Sequence, residues 1–419
     1  MTQKSKNIPK LRFPEFVNEG EWEDNTLINI SKFRRGSFPQ PYGLPEWYDE
    51  INGMPFIQVF DVGEDFRLKP TTKSRISKLA AEQSVFIQKE TLIITIQGSI
   101  GRVAITQYDA YIDRTLLLFE ELYNDIDKTF FAYVLFILFE IEKLKAPGGI
   151  IKTITKEVLS GFEIKIPKNP IEQQKIASCL SSLDELIAAH SQKLEVLKEH
   201  KKGLMQNLFP QEGEKVPKYR FKEFKGEWKE KTLGAVAKNV MYGMNASAVE
   251  FDGENKYIRI TDINENSRLF LPNPLTSPDG QLEEKYLINV GDLLFARTGA
   301  SVGKSYLHQN ECGKIYFAGF LIRFTIKNAI PYFVYAQTLT EHYQKWVSKT
   351  SMRSGQPGIN AEEYKSYPIF LPTTIEEQQK IASCLSALDE LITAQVEKIK
   401  QLKQHKKGLM QGLFPKMNE

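Results

Sequence analysis

One long helical segment occurs twice in this chain. Residues 172–210 read EQQKIASCLSSLDELIAAHSQKLEVLKEHKKGLMQNLFP, and residues 377–415 read EQQKIASCLSALDELITAQVEKIKQLKQHKKGLMQGLFP. The offset is a constant 205 residues, and 29 of the 39 positions are identical. A 419-residue chain built this way is two copies of one unit, a constraint that precedes any local propensity. The repeat extends to the lead-in segments. Lys10-Leu11-Arg12-Phe13-Pro14-Glu15-Phe16 recurs as Lys218-Tyr219-Arg220-Phe221-Lys222-Glu223-Phe224, Gly20-Glu21-Trp22 as Gly226-Glu227-Trp228, and Thr26-Leu27 as Thr232-Leu233.

Between lead-in and helix the halves diverge. Residues 28–165 and 234–370 share only scattered pieces: Phe56-Ile57-Gln58-Val59-Phe60-Asp61-Val62 faces Tyr257-Ile258-Arg259-Ile260-Thr261-Asp262-Ile263, and Ser99-Ile100-Gly101-Arg102 faces Ser301-Val302-Gly303-Lys304. Each globule is long enough for its own core. Constant helices carrying different globules imply one shared geometric role and two separate recognition roles.

Within the first helix the 4-3 series is Ile176, Leu180, Leu183, Ile187, His190, Leu194, Leu197, Lys201, Leu204, Leu208. The second gives Ile381, Leu385, Leu388, Ile392, Gln395, Ile399, Leu402, Lys406, Leu409, Leu413. Eight of the ten positions are apolar in each copy, which is a coiled-coil seam. Thr374 with Glu377 predicts a capping box, and Asn169-Pro170 with Glu172 predicts its counterpart. Pro210 and Pro415 end the helices. Two separate coils, each on its own partner, would satisfy the pattern. So would one antiparallel pair, which is preferred because each globule precedes its helix. In that pair His190 and Gln395 lie near the middle and fix register. The linker after Phe209-Pro210 then has the N-terminal segment as its counterpart, a circular organisation with the termini close together. The Lys201-Lys202 and Lys406-Lys407 runs either complement the helix dipole or touch nucleic acid or a partner.

The charge is nearly balanced, 55 Lys and Arg against 52 Asp and Glu, so any basic surface is local. Cys179, Cys312 and Cys384 form no CxxC pair, a reduced, cytoplasmic pattern. The polar, basic opening has no signal-peptide form. The apolar run Phe130–Phe139 falls well short of the about 20 residues a membrane span needs, so it predicts a buried helix. The five histidines show no metal-ligand spacing.

Enzymatic patterns fail on inspection. Gly299-Ala300-Ser301-Val302-Gly303-Lys304-Ser305 approaches a phosphate loop, but the required first glycine falls at Thr298. Pro278-Asp279 with Glu283 and Lys285 has no counterpart in the first half. There is no Asn-Pro-Pro-aromatic methyltransferase motif. A non-catalytic two-headed scaffold or adaptor for non-DNA ligands also fits divergent globules on constant helices.

The doubled Glu-Gln-Gln-Lys-Ile-Ala…Leu-Asp-Glu-Leu-Ile helix and the doubled Leu-Phe-Pro…Arg-Phe-x-x-Phe-x-x-x-Trp lead-in resemble the specificity subunits of type I restriction–modification systems. Gly291-Asp292-Leu293-Leu294-Phe295-Ala296-Arg297-Thr298-Gly299 resembles that family's target-recognition signature, whereas Glu90-Thr91-Leu92-Ile93-Ile94-Thr95-Ile96-Gln97-Gly98 lacks its Gly-Asp and its Arg. The resemblance implies an α/β fold of two mixed α+β target-recognition domains separated by an antiparallel two-helix coiled coil with pseudo-two-fold repeat. Expected divisions are 1–168 for the first domain, 169–210 for the first spacer helix, 211–373 for linker and second domain, and 374–419 for the second spacer helix and tail. It further implies a non-catalytic reader of a bipartite, asymmetric double-stranded DNA target. The implied partners are two methyltransferase subunits and two restriction–translocation subunits. S-adenosylmethionine, ATP and magnesium would be used by those partners, with no cofactor on this chain and no membrane association.

Arg and Lys suit phosphates, and Arg, Gln, Asn and Ser suit base edges. The DNA-contacting candidates in the first domain are therefore Arg34, Arg35, Ser37, Gln58, Gln97, Arg102 and Lys152. In the second they are Arg259, Arg297, Thr298, Ser301, Lys304, Arg353, Ser354, Gln356 and Asn360.

Overall fold

The computed structural model describes residues 7–145, 154, 156–310, 313–353 and 355–416. Lys152, Cys312 and Ser354 lie outside the described residues. The chain forms two compact units, and the divisions fall inside the long helices: one unit comprises 1–192 with 397–419, the other 193–396. Each unit thus holds the first half of one long helix and the second half of the other.

The first unit contains two four-stranded sheets. One runs Ser31–Arg35, Leu116–Leu122, Leu92–Thr95, Val103–Ile105, all antiparallel. The other runs Ser74–Ile76, Met54–Ile57, Ala110–Ile112, Val85–Ile87, with a parallel pairing of Met54–Ile57 on Ala110–Ile112. The apolar run is a buried helix, Lys128–Lys145, whose Phe130, Phe131, Val134, Leu135, Leu138 and Phe139 are fully enclosed. The second unit repeats the plan. Its four-stranded sheet runs Ala237–Tyr242, Leu321–Ile326, Asp292–Ala296, Ser305–Leu307, and Lys256–Ile258 pairs in parallel with Ile315–Phe317. The helix matching the apolar run is shorter, Pro331–Gln337, followed by Glu341–Thr350.

The long helices are Pro170–Asn207 and Ile375–Leu413, 38 and 39 residues. All twenty seam positions are buried or half-buried, Gln395 among the buried and His190 among the half-buried. Several apolar residues off the seam are exposed: Leu186 42%, Val196 57%, Leu391 54%, Val396 48%. In the first unit Ile176, Ala177 and Leu180 share a core with Met410, Leu413 and Phe414, and Asp184 pairs with Lys406, so the helix halves run antiparallel. In the second, Ile381, Ala382 and Leu385 share a core with Met205, Leu208 and Phe209, and Asp389 pairs with Lys201.

The helix starts depart from the expected capping box. Asn169 accepts the Ile171 N–H, and Thr374 accepts the Glu377 N–H at 3.4 Å. The Glu side chains do not complete the box, because each is drawn to the lead-in segment. Arg12 donates two hydrogen bonds to Glu172, at 2.8 and 2.7 Å, and the Trp22 indole N–H a third at 3.4 Å. Arg220 does the same to Glu377 at 2.7 and 2.8 Å, with Trp228 at 3.2 Å. Both glutamates are 1% exposed, and a buried carboxylate needs such compensation. The lead-in also closes each helix end. Leu11 N–H donates to Gly412 C=O at 2.8 Å, and Tyr219 N–H to Asn207 C=O at 2.8 Å. The N-terminal segment therefore occupies in its unit the place of the linker in the other.

Candidate nucleic-acid interface

Backbone hydrogen bonds bring the two divergent domains into correspondence at one end of the matching sheets. Ile96 N–H donates to Thr115 C=O at 2.9 Å, and Arg297 N–H donates to Phe320 C=O at 3.1 Å. Ile154 N–H donates to Ile96 C=O at 3.2 Å, and Ile359 N–H to Arg297 C=O at 2.9 Å. Gly36 and Ser37 donate to Leu116 and Ile112, as Gly243 and Met244 donate to Leu321 and Phe317. Gly36 and Gly243 are needed for this approach, since a Cβ would lie 2.4 Å and 2.2 Å from a neighbouring carbonyl oxygen. Arg35 therefore matches Tyr242, Ser37 matches Met244, Gln58 matches Arg259, Ile96 matches Arg297, Gln97 matches Thr298, and Thr115 matches Phe320.

The same edge carries different chemistry in the two domains. In the first, Arg34 and Arg35 are exposed; Arg34 lies 3.8 Å from Glu120, and Arg35 Nε donates to the Arg114 carbonyl at 3.2 Å. The Ser37 hydroxyl donates to Gln83 C=O at 3.0 Å. Gln58 opens the tight turn Val59–Asp61, its N–H held by Asp61 at 2.8 Å, and Gln97 is half-buried. Arg114, absent from the sequence candidates, is exposed, with its guanidinium 4.8 Å from the Tyr42 ring. Nothing in its sequence context distinguishes it from an ordinary surface arginine.

In the second domain Arg297 stands where the first has fully buried Ile96. Its guanidinium lies 5.1 Å over the Tyr242 ring, and its buried Nε has no hydrogen-bond partner among the described residues. Thr298 bridges to Gly358, and Gly299 N–H donates to Pro357 C=O at 3.0 Å, which brings exposed Gln356 beside the Gly299–Ser301 turn. Arg297, Thr298, Ser301 and Gln356 therefore form one cluster.

Other candidates are engaged within their domain. Arg259 clasps Asp262 through Nε and Nη2 at 2.8 and 2.9 Å, and this hydrogen-bonded carboxylate raises the guanidinium's already high pKa. Arg353 pairs with Glu363 and donates to the Thr350 and Met352 carbonyls. Asn360 caps the short helix Ala361–Lys365. Arg102 and Lys304 are likewise engaged within their domains, as matching braces. Arg102 donates to Val62 C=O at 3.2 Å and lies 3.5 Å from Glu64. Lys304, 6% exposed, donates to Ile263 C=O at 3.2 Å and pairs with Glu265 at 2.6 Å, which lowers the Glu265 pKa. A group held alike in both domains carries no difference between them.

The lysine runs also resolve. Lys406 pairs with Asp184 at 2.5 Å, and the Tyr133 hydroxyl donates to the same carboxylate at 2.6 Å. Lys201 pairs with Asp389 at 2.5 Å, and Tyr332 donates to Asp389. These two lysines are seam groups that join helix to helix and each domain to its helices. Burial lowers the Lys406 pKa while Asp184 opposes it; burial, then Asp184, raises the Tyr133 pKa. Lys202 and Lys407 remain exposed. The repeated Gln-Gln pair also acts alike in both copies. Gln173 accepts from Asp127 N–H and Gln378 from Ile330 N–H, each at 3.0 Å, at the start of a domain helix.

Among the described residues, no cluster of three or more His, Cys, Asp or Glu could hold a metal ion, and no helix is long and apolar enough to cross a membrane. The family model described as "Type I restriction modification DNA specificity domain" matches residues 20–199 and 225–404. The Type I restriction enzyme MjaVIII specificity subunit of Methanocaldococcus jannaschii is 23% identical over 98% of this chain and 94% of its own length. The crystal structure of the S subunit of a type I restriction–modification system from M. genitalium superposes with a TM-score of 0.62 at 17% identity, covering 98% of this chain and 100% of that one. A chain from work on complex assembly and conformational transition of the type I R-M system superposes at 0.52 and 14% identity, covering 95% and 98%. With two matched specificity domains on duplicated helices, this chain belongs to the type I restriction–modification DNA specificity family, as a non-catalytic specificity subunit.

Proposed function

We propose that each target-recognition domain reads one half of a bipartite, asymmetric duplex DNA target. The paired long helices fix the gap between the half-sites and dock two methyltransferase subunits, and two restriction–translocation subunits complete the assembly in the cytoplasm. S-adenosylmethionine, ATP and magnesium act on the partner subunits, and this chain holds none of them.

The observation that carries this reading is the equivalent sheet end with unlike side chains. Arg35, Gln58, Ile96 and Thr115 stand in one domain where Tyr242, Arg259, Arg297 and Phe320 stand in the other. The mounting groups are the same in both: Arg12 and Arg220, Trp22 and Trp228, Asp184 and Asp389, Lys406 and Lys201. Constant mounting with variable edges suits two unlike half-sites at fixed spacing.

The test is methylome sequencing of a host expressing the chain with its methyltransferase, alongside Arg297→Ala. Recognition should relax at one position of one half-site, by about 1–3 kcal/mol if Arg297 holds a guanine through two hydrogen bonds. A phosphate contact would instead weaken binding to all sequences and lower the salt slope by about one unit. Absence of salt-sensitive duplex binding by the methyltransferase-bound chain would favour the adaptor reading.

A further inference from the structure

We infer that Phe320 is a specificity-determining residue of the second domain, packing on the 5-methyl group of a thymine beside the base read by Arg297. The inference rests on the domain being a DNA reader and adds the chemistry of one position in its half-site.

Phe320 is 57% exposed, the most exposed phenylalanine among the described residues. It lies in the tight turn between Ile315–Phe317 and Leu321–Ile326. Each surrounding group is tied. Gly319 N–H donates to Met244 C=O at 2.8 Å, Leu321 N–H to Ala318 C=O at 2.8 Å, and the Phe320 carbonyl accepts from Arg297 N–H at 3.1 Å. The ring is thus presented by a rigid turn, with its position coupled to that of Arg297.

The occupant follows from the neighbour. Arg297 has its guanidinium on the Tyr242 ring and no carboxylate partner among the described residues, so it is available for a bidentate guanine contact in the major groove. In that groove the thymine methyl is the apolar feature that a ring can recognise. A wedge inserted between base steps is instead a minor-groove device. The half-site of the second domain should therefore hold a thymine next to, or one step from, a guanine. The first domain has polar Arg114-Thr115 at the corresponding turn, so this dependence belongs to one half-site.

The experiment uses the methyltransferase-bound full chain and duplexes carrying the half-sites found by methylome sequencing. Each thymine is replaced singly by deoxyuridine, which removes only the methyl group. Wild type should lose roughly three- to fivefold in affinity at one thymine of the second half-site, the scale of one buried methyl. Phe320→Ala should bind the thymine and uracil duplexes equally, and Phe320→Leu should recover part of the difference. Unchanged melting and methyltransferase copurification exclude a folding artefact. A flat uracil profile in wild type, or full discrimination retained by Phe320→Ala, overturns the assignment. So does unstacking at the site reported by 2-aminopurine in place of methyl dependence. Failure of wild type to bind any duplex specifically would overturn the DNA-reading role itself, which separates the two claims.

Discussion

Lys406 of the second long helix and Asp184 of the first meet at 2.5 Å in a seam position, with the Tyr133 hydroxyl on the same carboxylate. The Lys side chain is 14% exposed and the Asp 18%, so neither charge is fully solvated. Asp184→Ala should cost about 1.5–3 kcal/mol, because it leaves a largely buried ammonium unpaired. The double exchange Asp184→Lys with Lys406→Asp should restore only part of this, since Tyr133 loses its acceptor. Chemical denaturation of the four variants in a mutant cycle measures both terms.

The second mounting device gives a separate expectation. Arg220→Lys keeps the charge but loses the two-pronged geometry on Glu377, and should destabilise by roughly 1–3 kcal/mol. Arg12→Lys should do the same through Glu172. If both lysine variants melt like wild type, the buried carboxylates do not depend on the forked contact.

His308 predicts a pH effect. It is 4% exposed, its Nδ1 lies 3.1 Å from the Tyr306 hydroxyl, and burial holds its pKa below the ordinary imidazole value while Asp292 opposes that shift. The unfolded chain then binds a proton that the folded chain does not. The stability contribution is fully present above the ordinary pKa of about 6.5 and is lost as pH falls from there toward the folded value. Melting temperatures of wild type should drop more steeply than those of His308→Gln between pH 7 and 5. Parallel curves would remove His308 as the cause.

The long helices are legible because heptad spacing depends on local sequence alone. The seam from Ile176 to Leu208 is the buried face, and Leu186 and Val196 are outside it. The buried helix at Lys128–Lys145 follows from its apolar run for the same reason. The reading edge is only partly legible. Arg297 and Gln356 come together because Thr298 bridges Gly358 across a long sequence gap, and no spacing rule reports that. The bracing contacts of Arg102 and Lys304 are not legible, because a cation in a glycine loop looks the same whether it faces solvent or braces a buried carbonyl. Lys201 and Lys406 mislead because their acids, Asp389 and Asp184, lie on the other helix. Glu172 and Glu377 do sit at a capping position, but the repeated Arg and Trp of the lead-in outcompete the helix N-terminus for them. That pairing is present in the sequence as three co-repeated residues.

The spacer role makes a length prediction. Inserting four residues after Ala189 adds about 6 Å of helix at roughly 1.5 Å per residue. This is close to two base pairs at about 3.4 Å each. The modified motif should keep its half-site bases and widen its gap. Altered bases with an unchanged gap would remove the helices as the ruler.

Independent reading by the two domains is tested most directly by exchanging residues 234–370 for the equivalent domain of a relative and sequencing the methylome. One half-site should change while the half-site read by residues 28–165 stays intact. Loss or change of both half-sites from a well-folded, methyltransferase-bound exchange would contradict independent reading.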